Sequence, residues 1–268
     1  GVISLLHWND FSKELNKHFN KNKCVALDPK LHSIEEVNKI IELANKNETK
    51  LHFTNPNLID ELWIDRPERK YSSIFDHPIN YSGIEASNKV DQFIQELKNN
   101  HLDSYFLSSL DSIAWLLNLR GDDILHTPLA FAYCFISLES KPILYVCIEK
   151  LNTDLKIRLN KFLTLEPIEK IDNIFNNLRK NLKIGFDYKN TSYFFYNLAL
   201  ENNHTPSNLQ NPCLIPKAIK NETELEGSRK AHIRDGVSIT KFLCWLKNHQ
   251  SVEAENEISA AHKLLSFR

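Results

Sequence analysis

Two apolar runs, separated by only four residues, constrain the fold more than any other feature of the sequence. Ala130–Leu138 and Ile143–Ile148 are almost continuously apolar, and Glu139-Ser140-Lys141-Pro142 lies between them. Runs of this length, rich in β-branched and aromatic residues and bounded by a turn-forming segment, are typical of buried strands. The sequence therefore predicts a hairpin of two buried strands.

Helical and strand patterns alternate on both sides of this hairpin. Apolar residues at three- and four-residue spacing predict helices, and short apolar runs predict strands. The predicted helices are marked by Val90/Phe93/Ile94/Leu97, Asp111–Asn118, Leu155/Leu159/Phe162, Ile171/Ile174/Phe175/Leu178 and Tyr193–Leu200, and the predicted strands are Tyr105–Leu107 and Lys183–Asp187. This alternation predicts an α/β fold in which a mixed sheet has helices on its faces.

The first 64 residues are predicted to be the C-terminal part of a separate α/β unit. Cys24–Leu27 is a short apolar strand, and Ser33 with Glu36 three residues later forms the capping box of a helix. Too few strands are present here for an independently stable sheet. Residues 65–80 contain Pro67 and Pro78 without periodicity, so they are predicted to be a linker that opens a second unit, residues 65–215.

Residues 216–268 are predicted to begin a third unit. Asn221 is a good N-cap for a long helix, and Glu224 is its capping-box partner. A second amphipathic helix is predicted over Ile258–Phe267. The chain stops within this pattern, so we expect Arg268 to be a fragment boundary.

The composition excludes several classes of function. Lys plus Arg number 33 and Asp plus Glu number 34, so the net charge of −1 gives no broad attraction to nucleic acid or anionic membrane. No apolar run approaches the length of about 20 residues that a bilayer-spanning helix needs. The five cysteines form no C-x-x-C pair and are odd in number, which favours free thiols in a reducing cytoplasm.

Few residues suggest chemistry. Phosphate-binding, dinucleotide-binding, zinc-protease and nucleophile-elbow motifs are absent from the sequence. His232 and Asp235 share a helix face, but a metal site would need two more ligands nearby, so a surface or interdomain pair is favoured. Asp122 and Asp123 are expected to serve a turn. Trp63 and Trp115 are expected in the core.

Three stretches resemble the Xaa-Pro aminopeptidases of the creatinase superfamily. Asn57–Pro67 (NLIDELWIDRP) resembles the family's passage into its middle domain, and Leu110–Ile124 (LDSIAWLLNLRGDDI) resembles the middle-domain signature L-D-x-I-A-W-L-x-N-[IL]-R-G-x-D. Lys217–Gly236 resembles the entry to the catalytic domain, with Ser228 in place of the family's usual Met. Glu257–Ala261 fits the helix that follows. The resemblance covers residues 24–268.

The resemblance implies a protein of three domains, of which this chain contains the second, with parts of the first and third. The third is a pita-bread domain that binds two divalent ions, usually manganese, through two Asp, two Glu and one His. Those residues follow the last helix of this chain, so catalytic and metal-binding residues are expected beyond Arg268 and none is assigned here. The implied enzyme removes an N-terminal residue that precedes proline. This chain alone is expected to be inactive.

The resemblance also gives the middle domain a role in scaffolding and in limiting access to short peptides. On this view five residues are candidates for interdomain contacts or for fixing loops: Asp111, Arg120, Asp122, His232 and Asp235. For Arg120 we favour fixing the loop after its helix. The alternatives are a prolidase or creatinase of the same superfamily, and a protein-binding or dimerisation module without activity. A homodimer is one expected assembly; nucleic-acid and membrane partners are not expected.

Overall fold

The computed structural model describes residues 17, 19–21, 23–67, 71–249 and 255–268. The strands are β1 (Cys24–Leu27), β2 (Lys50–Phe53), β3 (Ile74–Asp76), β4 (Ser104–Leu107), β5 (Leu119–Gly121), β6 (Ala132–Ser137), β7 (Ile143–Val146), β8 (Thr164–Pro167), β9 (Lys183–Phe186) and β10 (Thr205–Asn208). The helices are α1 (Ile34–Lys46), α2 (Leu58–Leu62), α3 (Ile79–Ser82), α4 (Ala86–Asn99), α5 (Leu110–Leu117), α6 (Thr153–Asn160), α7 (Tyr193–Glu201), α8 (Leu214–Ala218), α9 (Glu222–Asn248) and α10 (Glu257–Leu265).

A mixed sheet of six strands, in the order β10-β9-β4-β6-β7-β8, forms the centre of the molecule. The predicted hairpin is confirmed: β6 and β7 are antiparallel, with Cys134 opposite Leu144. Strand β4 is antiparallel to β6 and parallel to β9, and β8 is parallel to β7. The predicted fold class, a mixed sheet flanked by helices, is therefore confirmed. Two smaller sheets pair β1 with β2 and β3 with β5.

The sheet is apolar on both faces and has a separate core on each. Along β4, Tyr105 and Leu107 point into the first core, which α4, α5 and α6 cover, and Phe106 points into the second. This alternation follows from the two-residue period of a strand. Both faces of the strands are therefore buried, which accounts for the continuous apolar runs in the sequence.

The front unit, residues 23–67, packs on the second core. Ile34 and Val37 of α1 are fully buried among the aromatic residues of the sheet and of α7. The predicted capping box is confirmed, because Ser33 and Glu36 exchange side-chain and backbone hydrogen bonds. Backbone bonds also join the front unit to the segment before α7, among them Ile34 N–H to the Thr191 carbonyl at 3.0 Å.

The rear helices, α9 and α10, leave the middle unit, residues 71–218, at α9's N-terminus. Asn221 and Glu224 form the predicted capping box of this 27-residue helix. Along its length α9 buries only Ser238, whose hydroxyl donates to the Phe267 carbonyl after α10 at 2.8 Å. Exposed apolar side chains on α9 include Ile233 and Leu243. Helix α9 thus contacts α3 of the middle unit as well as α10.

Several sequence predictions were wrong. The predicted linker contains β3 and the start of α3, although residues 68–70 lie outside the described part of the chain. The helix predicted from Ile171 to Leu178 is a 3-10 helix, Ile168–Asn173, followed by turns. Its isoleucines lie three residues apart, which is the period of a 3-10 helix. Trp63 is 47% exposed rather than part of the core.

Candidate functional site

The signature segment forms α5 and β5, and three cationic side chains donate hydrogen bonds to carbonyls where α5 ends and β5 begins. Helix α5 ends at Asn118, which has the left-handed φ of 52° that asparagine tolerates at a helix end. Carbonyls of the last turn then lack intrahelical partners. Lys89, Arg120 and Arg158 all donate to carbonyls in this segment, from Ala114 to Leu119. Cations here also match the negative end of the helix dipole.

Arg120 binds within its own segment. Its guanidinium donates to the carbonyls of Ala114, at 3.0 Å, and of Leu119, at 2.7 Å. Burial lowers the pKa of Arg120, and the carboxylate of Glu224 opposes this effect. Both bonds join β5 to the end of α5.

Lys89 is the functional candidate that the sequence analysis did not identify. It lies on α4, is only 2% exposed, and donates to the Trp115 carbonyl at 2.9 Å and to Asn118 Oδ1 at 2.8 Å. A signal was present, because position 89 shares a helix face with Phe93 and Leu97, four and eight residues further on. A lysine in an otherwise apolar stripe indicates a buried, partnered charge.

The aspartates of the signature make different contacts. Asp111 pairs with Lys217 and so links α5 to α8. The backbone N–H of Asp122 donates to Ser72 Oγ at 2.8 Å. Asp123 accepts from the Ser72 hydroxyl at 2.9 Å and from the Phe131 N–H at 2.8 Å. The carboxylate that ties the loop to its neighbours is thus that of Asp123.

His232 and Asp235 lie on α9 and have separate partners. His232 Nδ1 is 2.8 Å from the Ser228 carbonyl, one helical turn away, and Asp235 accepts from Arg268 Nε at 2.8 Å. Within the described part of the chain, no group of three or more His, Cys, Asp or Glu side chains is placed to hold a metal ion. The described residues therefore do not fit a centre for two metal ions.

A groove of about 490 Å³ lies between α4, α5 and residues 209–216. Its walls are mainly apolar, and the titratable groups among the described residues that line it are Lys89, Glu96 and Cys213. Burial raises the pKa of the Cys213 thiol to about 12, which removes it as a nucleophile near neutral pH. The groove thus lacks the pairing of a nucleophile with a base that acyl-transfer chemistry requires.

Comparison with known proteins decides the family. The model of the Creatinase/Prolidase N-terminal domain family matches residues 65–224, more than half of the chain. The chain belongs to this family. The resemblance to Xaa-Pro aminopeptidases is also confirmed: a protein of Paracoccidioides lutzii named "Probable Xaa-Pro aminopeptidase P" is 31% identical over 282 residues, which cover 100% of this chain and 45% of that protein.

Solved structures of proteins from the creatinase/prolidase family are also similar to this chain. The X-prolyl aminopeptidase of Caenorhabditis elegans, described as a cytosolic enzyme with a di-nuclear active site, matches 100% of this chain with a TM-score of 0.86 and 25% identity. The Xaa-Pro dipeptidase of Bacillus anthracis matches 68% of this chain and 48% of its own, with a TM-score of 0.50 and 14% identity, and shows the fold alone. This chain spans 44% of the Caenorhabditis elegans chain, less than half its length.

Proposed function

We propose that this chain is a scaffold portion of a Xaa-Pro aminopeptidase, an enzyme that removes the N-terminal residue preceding proline from peptides. The observation that carries the proposal is the match of the whole chain, at 25% identity and a TM-score of 0.86, to an X-prolyl aminopeptidase. The signature residues contribute to the first core and the α5–β5 junction, so the resemblance extends to parts that determine the fold. The substrates of the whole enzyme are peptides with proline in second position.

The chemistry of the whole enzyme is expected to use two divalent ions, with manganese as the expected metal. The contribution that we propose for this chain is structural. Its mixed sheet carries the front unit on one face, and α9 begins beside α3 of the middle unit. That arrangement supports a role in presenting the catalytic part. Cytoplasmic location is proposed as well, because all five cysteines are free thiols. None of the helices in the described residues has the length and hydropathy that crossing a bilayer requires.

An activity assay of two proteins tests the proposal. The first is this 268-residue chain, and the second extends it with its downstream sequence; both are given manganese and a peptide of the form X-Pro-Y. We expect turnover only from the longer protein, with release of the first residue. Hydrolysis by the short chain, or a longer protein that cleaves X-Pro dipeptides but spares X-Pro-Y, contradicts the proposal. The second result would favour a prolidase.

Access control is the finer part of the proposal. If the front and middle units restrict entry to the active site, the intact enzyme should favour short peptides over long ones. Removing residues 1–215 from the intact enzyme tests this, provided that the remaining protein folds by circular dichroism. Unchanged preference for short peptides in the shortened enzyme would reject the idea. Light scattering on this chain tests the separate prediction of a homodimer.

A further inference from the structure

The buried ammonium group of Lys89 is connected to the start of α9 through a series of hydrogen bonds. The ammonium of Lys89 is enclosed by the middle unit, with its Nζ 4.4 Å from the centre of the Trp115 ring. Burying a charge is costly unless hydrogen bonds compensate for the lost water. Lys89 has such bonds, to the Trp115 carbonyl and to Asn118 Oδ1. These bonds constrain the groups that accept them.

The ammonium fixes the orientation of the Asn118 amide. An ammonium group only donates hydrogen bonds, so Asn118 Oδ1 must face Lys89 and its amide nitrogen must face the other way. On that other side, Asn118 Nδ2 donates to the Ile84 carbonyl at 2.9 Å. The Lys89 side chain thereby holds the turn that follows α3 through the Asn118 amide.

The turn after α3 is the place where α9 begins. Gly83 ends α3 with a φ of 71°, and a β-carbon at this position would lie 2.4 Å from Asn221 Oδ1. Asn221, the N-cap of α9, donates from Nδ2 to the Ser82 carbonyl at 2.9 Å. The turn and the N-cap are therefore in close contact, and a shift of one must move the other.

Opposite charges also lie on the two sides of this contact. Glu224 lies in the first turn of α9 and completes its capping box. Burial lowers the pKa of Lys89 to about 8, and the carboxylate of Glu224 is the largest influence that opposes it. Glu224 opposes the effect of burial on Arg120 in the same way. The start of α9 therefore presents negative charge to the cations at the end of α5.

We propose that Lys89 is a positioning residue which, through Asn118 and the turn after α3, sets the direction in which α9 leaves the middle unit. Helix α9 buries only Ser238 and contacts α3, beside the turn that Asn221 bonds, so these polar bonds lie at its attachment to the middle unit. The inference rests on and deepens the proposed function, in which α9 leads toward the catalytic part. Its test measures the direction of α9 on this chain and needs no peptidase assay, so it can fail independently of the proposed function.

The chain's own cysteines allow the direction of α9 to be measured. Cys24 of the front unit and Cys244 of α9 are exposed, whereas Cys134, Cys147 and Cys213 are buried. Burial raises the pKa of each buried thiol, so nitroxide reagents, which react with the thiolate, select the two exposed positions. Double electron–electron resonance spectroscopy then measures the distance between the two labels, and so the distance from the front unit to α9.

The test compares Lys89→Met with Lys98→Met. Methionine keeps the length of the lysine side chain but removes its charge and its hydrogen bonds, and Lys98 is an exposed lysine on the same helix. We expect one narrow distance in the unsubstituted chain and in Lys98→Met, and loss of that narrow distance in Lys89→Met. A narrow distance that is unchanged in folded Lys89→Met overturns the proposal.

A second variant decides the matter if Lys89→Met fails to fold. Asn118→Asp keeps an oxygen for Lys89 and a residue type that tolerates the left-handed conformation, but it removes the donor to the Ile84 carbonyl. We expect this variant to retain the far-ultraviolet circular dichroism of the unsubstituted chain and to lose the narrow distance. If it retains the narrow distance, the bond from Asn118 to Ile84 does not position α9 and the proposal is rejected.

Discussion

The two junctions of the middle unit are built in different ways. At the front, buried apolar side chains of α1 enter the second core, the Phe53 and Tyr193 rings stack 5.2 Å apart, and backbone hydrogen bonds join the two parts. At the rear, the N-cap of α9, Asn221, contacts the end of α3 and the turn that follows it, and charged groups lie nearby. The same middle unit therefore holds one neighbour by burial and another by a few directed polar bonds.

This difference has separate consequences for stability and for orientation. Burial contributes free energy in proportion to the apolar area removed from water, and the contribution is spread over many side chains. A directed hydrogen bond contributes little net free energy, but it fixes distance and angle. Substitutions at the front junction should therefore change the free energy of unfolding. Substitutions at the rear should mainly change where α9 points.

The largest expected effect is at the front junction. Ile34 is 0% exposed and Ile233 of α9 is 69% exposed. Ile34→Ala should lower the free energy of unfolding by about 2–5 kcal/mol, because it leaves a cavity in the second core. Ile233→Ala should change it by about 0.5 kcal/mol or less. Urea unfolding measures both, and equal losses would show that burial does not distinguish α1 from α9.

Two glycines sharpen the comparison between the sheet and α9. A β-carbon at Gly185 would lie 2.5 Å from the Tyr105 ring, whereas one at Gly236 would meet no atom within 4 Å. Gly185→Ala should therefore destabilise the chain by about 1–3 kcal/mol through overpacking. Gly236→Ala should raise the stability of α9 by about 0.5–1 kcal/mol, because alanine favours the helix. Thermal unfolding followed at 222 nm compares the two. A stabilising Gly185→Ala would be incompatible with this packing.

The buried histidine His204 should make the free energy of unfolding depend on pH. Burial lowers the pKa of His204 below 6.5, and its ring packs against Phe175. The folded state thus favours neutral His204, so this stability is present above pH 6.5 and lost as pH falls through the lowered pKa. His204→Leu should flatten the dependence of unfolding free energy on pH in this range. A dependence on pH that is the same in His204→Leu as in the unsubstituted chain would contradict this assignment.

The smallest expected effect is at the surface ion pairs. Asp111 and Lys217 are 54% and 26% exposed, and Asp235 and Arg268 are 44% and 47% exposed. Asp111→Asn should cost about 1 kcal/mol or less, and Asp235→Asn about 0.5 kcal/mol or less, since water screens both pairs. Chemical denaturation with and without 1 M salt measures both. A loss well above these values for Asp235→Asn would show that the rear helices depend on charge more than proposed.

The sequence was most informative where both faces of a strand are buried. The runs that became β6 and β7 have no other good explanation than buried strands, and they were predicted correctly. Strands β8 and β10 were not predicted, because they lie at the edges of the sheet and contain Pro167 and Pro206 among polar residues. Edge strands accept proline and polar residues, so they lack an apolar signal.

The junction residues were harder to predict than the fold. Arg120 and Asp111 were identified through the family resemblance, and their roles as interdomain or loop-fixing residues stay predictions. Lys89 and Asn221 join segments that are far apart in sequence, so their partners follow only from the folded arrangement. The same holds for the boundaries at residues 64/65 and 215/216, which also stay predictions.

Amide hydrogen exchange on the intact chain tests the contrast between the two junctions most directly. If burial holds the front unit, peptides from residues 24–53 should exchange together with those from β4 and β6. Peptides from residues 225–248 should exchange faster, because α9 has little buried surface to protect it. An α9 that exchanges as slowly as β6, or a front unit that opens before the sheet does, would contradict the account.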